Sequence, residues 1–108
     1  MPLAIKLEEA KIVCRDILGA DPERMAPPKV EEYCRALFAS GDVKMSVVAG
    51  HETLKKEYPC MAAVDRCANQ VSRHQGRAIW LEYENGKPER TICLVGKVKI
   101  NWLSKLLI

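Results

Sequence analysis

Pro22, Pro27 and Pro28 crowd into one stretch, GADPERMAPPK, and each disfavours helical geometry in the residue before it. No continuous helix can run through this part of the chain, so the apolar residues on either side must fold as separate elements. Before the prolines, Ala10, Val13, Cys14, Ile17 and Leu18 recur at three- and four-residue spacing behind Leu3 and Leu7. Lys6, Glu9, Lys11, Arg15 and Asp16 fall largely on other faces. That periodicity predicts an amphipathic helix ending near Gly19. After the prolines, Val30, Tyr33, Cys34, Leu37 and Phe38 form the apolar stripe of a second helix, which starts from Pro28, covers Val30 to Ala39 and is stopped by Gly41.

Further on the period changes. In VKMSVVA, Val43, Met45 and Val47 alternate with Lys44 and Ser46 before the run becomes apolar throughout, which predicts a strand partly covered on both faces. Thr53 to Tyr58 reads as a short helix interrupted by Pro59, and MAAVDRCANQV as a partly helical segment of small residues. Two more strands, Ala78 to Tyr83 and Thr91 to Val95, flank Asn85-Gly86, a pair that taken alone favours an antiparallel hairpin. The order helix, helix, strand, helix, strand points instead to one side of a layered α/β sheet with helices on both faces. In that arrangement the strands within Ala78 to Lys97 are neighbours. Ile79, Leu81 and Tyr83 share one face, and Trp80 and Glu82 the other.

At 108 residues the chain makes one domain at most, burying roughly 60 to 70% of its unfolded surface. Its 48% hydrophobic and 29% charged residues fit a globular fold, and no apolar run approaches the roughly 20 residues of a membrane span. A net charge of +3 with interspersed signs attracts nothing in particular, except at the end, where Lys97, Lys99 and Lys105 follow the last acidic residue, Glu89, and no nucleic-acid partner is expected. The N-terminus carries Glu8 and Glu9 and lacks the pattern of a secretory signal. Five cysteines, Cys14, Cys34, Cys60, Cys67 and Cys93, contain no C-x-x-C pair, which favours reduced thiols in a cytoplasmic chain.

Few residues suggest chemistry by themselves. His51 and His74 lie far apart and lack a metal-ligand partner at i+4, so neither is assigned a role. Buried structural cysteine outweighs any cysteine–histidine nucleophile pair. Arg66, Arg73, Arg77 and His74, with Trp80 nearby, could face an anion, but Asp65, Glu82 and Glu84 dilute the charge. Gly96-Lys97 lacks the upstream glycine and the Ser/Thr of a phosphate-binding loop.

Taken in order, Arg15-Asp16-Ile17 before the proline-bearing loop, Ala63-Val64-Asp65-Arg66, Arg73-His74, Gly76-Arg77, Leu81-Glu82-Tyr83 and Leu94-Val95-Gly96-Lys97 carry a resemblance over about residues 8 to 97. The chain resembles the leucyl (cytosol) aminopeptidase family, in particular its animal branch of probable aminopeptidases. The resemblance implies an α/β fold with helices on both faces of the sheet, and hence a substantially buried Trp80. Residues 1–20 would be a linker helix, 21–97 the first helices and strands of an incomplete layered α/β/α catalytic domain, and 98–108 a divergent tail. It also implies a metal-dependent hydrolase that releases N-terminal amino acids from peptides, using two zinc or manganese ions, usually as a homo-oligomer.

In that family the Val-Gly-Lys strand end continues as Gly-(Val/Ile)-Thr-(Phe/Tyr)-Asp-Thr-Gly-Gly, whose lysine and aspartate bind metal. Lys97 matches the lysine, whereas Val98, Lys99, Ile100 and Asn101 match nothing, and the later carboxylate ligands, catalytic arginine and second lysine have no counterpart. A lysine ligates only as the neutral amine, at a cost of roughly 4 to 5 kcal/mol at pH 7, and no acidic residue follows Glu89 to hold the cations that would offset it. The resemblance therefore implies a chain that is catalytically incomplete and binds no metal alone. The alternative is a non-catalytic interaction module for a full-length subunit or another protein. The apolar tail residues Ile100, Trp102, Leu103, Leu106, Leu107 and Ile108 have no inherited place in such a core, and they are expected to drive self-association.

Overall fold

The computed structural model describes residues 2–84, 86, 89–98 and 104–107. Helix α1 spans Pro2–Gly19, α2 Pro27–Leu37, α3 His51–Glu57 and α4 Pro59–Asp65. The strands are β1 Val43–Ala49, β2 Arg77–Tyr83, β3 Val95–Val98 and β4 Ser104–Leu107, and a single 3-10 turn at Ser72–His74 leads into β2. The prolines act as their stiffness dictates. Pro27 and Pro28 open α2, where their missing N–H groups cost nothing, and Pro59 opens α4 instead of ending a longer helix. Helix α2 is shorter at its end than the sequence suggests, and α3 begins earlier, at His51. There Gly50, with φ +89°, turns the chain out of β1 in a backbone geometry that favours glycine.

The strands form one mixed sheet in the order β1-β2-β4-β3. β1 and β2 pair antiparallel over seven residues, from Val43 opposite Tyr83 to Ala49 opposite Arg77. β4 lies parallel to β2 and antiparallel to β3. Helices pack on both faces of the β1–β2 pair, which makes an incomplete α/β domain. On one face Ile17, Val30, Cys34 and Ile79 are buried together, joined by Val13, Tyr33, Met45, Val47 and Leu81 from α1, α2 and the strands and by Phe38 just after α2. On the other, Leu54, Met61 and Ala62 from α3 and α4 pack on Ala78, with Val48 and Tyr58 at the margin. The period-two alternation of β1 and β2 assigns these residues to their faces. Among the described residues, no helix is long and apolar enough to cross a membrane.

Several expectations need correction. β2 and β3 share a sheet but are not neighbours, because β4 occupies the position between them. The Asn85-Gly86 signal therefore does not close a hairpin. Gly86 has the positive φ of a turn, +73°, and Asn85 lies outside the described residues. The last strand of the pair is Val95–Val98, not Thr91 to Val95; residues 91 to 94 carry no strand pairing and leave Ile92 and Leu94 exposed.

Trp80 is 39% exposed, less buried than the layered picture requires. The α3–α4 layer packs on Ala78 and Val48, and Tyr58 at its margin meets Trp80, its hydroxyl accepting a 2.7 Å hydrogen bond from the indole N–H. Tyr83 is exposed too, as β2 runs past the end of its helical cover. Helix α1 is docked by its last turns alone: Ile17 is buried, while Leu3, Ile5, Leu7 and Ile12 are all exposed and point to different sides of the helix. Finally, part of the tail does find a place. Ser104–Leu107 forms β4, whereas Ile100, Trp102, Leu103 and Ile108 lie outside the described residues.

Candidate functional site

Lys97, the metal-binding candidate, sits in β3 with its Cα opposite that of Lys105 in β4, and Gly96 stands opposite Leu106. Among the described residues β3 pairs with β4 alone, which places Lys97 on an outer strand of the sheet. A divalent ion held by protein needs several donors converging on one point, with carboxylates to balance its charge. Among the described residues no group of three or more His, Cys, Asp or Glu side chains could hold a metal ion. One amine supplies neither the number of donors nor the charge, so the described residues by themselves do not make a site for the ions that the family resemblance implies.

The other sequence candidates are scattered. His51, at the start of α3, faces Asp65 at the end of α4, with Nδ1 3.6 Å from Oδ2. His74 stands 3.5 Å from Glu23, which also pairs with Arg73 at 2.9 Å. Arg77 is nearly buried, with 14% of its side chain exposed. Its Nε donates to Glu31 of α2 at 2.9 Å, and Nη1 donates to the carbonyls of Gln75 and Gly76. Glu31 holds Arg35 as well, at 2.8 Å. The suggested basic face is thus divided. Arg73 and Arg77 are each committed to an acidic partner, and Arg66 points to solvent after α4. These contacts fasten α2 and its preceding loop to the entrance of β2, which is an architectural task.

Sequence reasoning missed Asp65 itself. It is 2% exposed, in a chain whose other acids lie at or near the surface, and its Oδ1 accepts a 2.7 Å hydrogen bond from the backbone N–H of Gly76. A Cβ on Gly76 would lie 2.7 Å from that same oxygen and 3.2 Å from Cγ, so only glycine lets the strand entrance come this close. The signal available in the sequence was an acid set among small residues in MAAVDRCA, a context that favours burial. Burial also pushes the Cys34 thiol above its ordinary value, and the hydrogen bond that the Tyr33 hydroxyl donates to Asp16, 2.9 Å long, raises the Tyr33 phenol. Neither group lies beside Lys97 in the sheet; both belong to the α1–α2 side.

The comparison with known proteins decides what this scaffold is. The model of the cytosol aminopeptidase family, catalytic domain, matches residues 12–99. The chain belongs to the cytosol aminopeptidase family. A Caenorhabditis elegans protein named "Putative aminopeptidase W07G4.4" is 50% identical over 86 residues, which are 79% of this chain and 16% of that protein. The chain therefore spans about a sixth of the length of this family relative. No solved structure matches. The family match begins at Ile12, next to the first residue of α1 that packs on the body of the fold, and closes two residues beyond Lys97. β4 lies outside it.

Proposed function

We propose that residues 12–97 are the opening part of the catalytic domain of a metal-dependent aminopeptidase, an enzyme that removes N-terminal amino acids from peptides, and that this chain by itself does not catalyse the reaction. The observation that carries the reading is the family match over residues 12–99, which runs through every element from the docked part of α1 to the strand bearing Lys97. In this reading Lys97 is the position of the family's metal-binding lysine, and zinc or manganese would be the ions of the complete enzyme. Peptides are its substrates and the cytoplasm its compartment. The chain's own residues provide the sheet that carries Lys97, and the rest of the donor set has no counterpart among them.

The test is an assay of leucyl peptides and leucyl arylamides with added Mn²⁺ or Zn²⁺. The expected result is no release above a protein-free control. Turnover that disappears in Lys97→Ala would overturn the proposed inactivity, whereas loss with chelator alone would also occur with a contaminating enzyme. A second reading, an interaction module that binds a full-length subunit or another protein, draws support from the exposed apolar residues of α1 and from Ile92, Leu94 and Val95, which are 83%, 61% and 66% exposed. Co-sedimentation with a family-length subunit distinguishes the two readings.

A further inference from the structure

Asp65 and His51 present each other with a pair of unsatisfied atoms. Oδ2 of Asp65 and Nδ1 of His51 are both buried, neither has a hydrogen-bond partner, and they face each other at 3.6 Å. The other carboxylate oxygen is held by the Gly76 N–H, so the carboxylate is fixed on one side and bare on the other. A buried polar atom left without a partner is rare enough in folded proteins to require a reason. A shift of well under 1 Å would bring the pair within hydrogen-bond distance.

We infer that His51 is the second anchor of a clasp on Asp65: its imidazole adopts the Nδ1–H tautomer and donates to Oδ2, so that one buried carboxylate ties together the start of α3, the end of α4 and the entrance of β2. The three points lie at different places along the chain: the start of one helix, the end of the next and the entrance of a strand. His51 follows the Gly50 turn, Asp65 closes α4, and Gly76 precedes β2. In a neutral imidazole only one ring nitrogen carries the proton, and the partner of one nitrogen decides the state of the other. With Nδ1 committed to Asp65, Nε2 is left as the ring's acceptor. The partly exposed ring, 31% accessible, acts as a latch over the buried carboxylate and positions α3.

Long-range ¹H–¹⁵N correlation spectra of the uniformly labelled full chain test this directly. They are recorded at about pH 9, where imidazoles are neutral, with His74 as internal reference. The expected result is a protonated Nδ1 and a bare Nε2 for His51, with His74 different from it. Asp65→Asn should move His51 toward Nε2–H. His51→Ala should speed exchange of the Gly76 amide at least tenfold, and His51→Gln, which can still donate, should restore much of the protection. A His51 that carries its proton on Nε2 in the unaltered chain overturns the clasp, and that spectrum requires no variant to fold. Equal Gly76 exchange in the unaltered chain and His51→Ala would overturn it as well.

Discussion

Gly76 is the residue where the least room separates the native side chain from its alternatives. Its missing Cβ is what lets Asp65 Oδ1 reach the backbone N–H, and the carboxylate is too buried to step aside. Gly76→Ala is expected to lose about 1 to 3 kcal/mol by breaking that bond and stranding a buried oxygen, measured by urea unfolding. Gly19→Ala, with nothing near its added Cβ, serves as the control. Cys34 supplies a chemical test at the same scale. Of five cysteines, Cys14, Cys60, Cys67 and Cys93 are exposed and Cys34 alone is buried, so a thiol reagent should modify four promptly and the fifth only as the chain unfolds. Because burial raises the Cys34 thiol above its unfolded value, its contribution to stability is complete below about pH 8.5 and is lost as the pH rises through the folded-state value. Melting curves between pH 8 and 10 should fall less steeply for Cys34→Ala than for the unaltered chain.

At the scale of elements, the tie between α2 and β2 is the one to cut. Glu31 receives Arg77 in a largely covered setting, whereas the Lys6–Glu9 and Lys11–Glu8 pairs of α1 lie in solvent. Glu31→Ala should cost about 1 to 3 kcal/mol, since it leaves a charged and nearly buried guanidinium without its partner, while Glu9→Ala should change stability by less than about 0.5 kcal/mol. A chemical-denaturation series on the two variants checks the difference. The elements were also where the sequence could be read best. Periodicity located α1, α2, β1 and β2, because each carries its own repeat of apolar residues, although α1 buries that repeat only in its last turns. It could not order the strands. Asn85-Gly86 reports only local turn preference, and the position beside β2 was taken by Ser104–Leu107, a segment with no strand alternation to announce it. The candidate site divides the same way. Lys97 stood out because a motif ran up to it, while Asp65 and its contacts depend on residues 11 and 14 positions away, on which a local pattern is silent.

For the molecule as a whole, the two ends behave differently. The first turns of α1 contact nothing among the described residues that would bury their leucines and isoleucines, and an isolated helix of this length is marginal in water. Deleting residues 1–10 should therefore change the unfolding midpoint little, and amide exchange should be fast over that stretch and slow around Ile17. The opposite end is held in the sheet by backbone pairing on both sides of β4. Truncation after Lys97 would turn Ala78–Trp80 into an open edge. Sedimentation of the shortened chain should show more self-association than that of the full one, a reversal of what the apolar tail alone suggests.

That pairing also has an order in time. A chain is made from its N-terminus, so α1, α2, β1 and β2 can assemble while the ribosome is still at work, each element meeting a partner already synthesised. The strand that bears Lys97 cannot. Its one partner among the described residues is β4, which is made after it, so Val95–Val98 must wait unpaired until Ser104–Leu107 has emerged. Any nascent product halted before Ser104 would carry the lysine on a strand that has nothing to join.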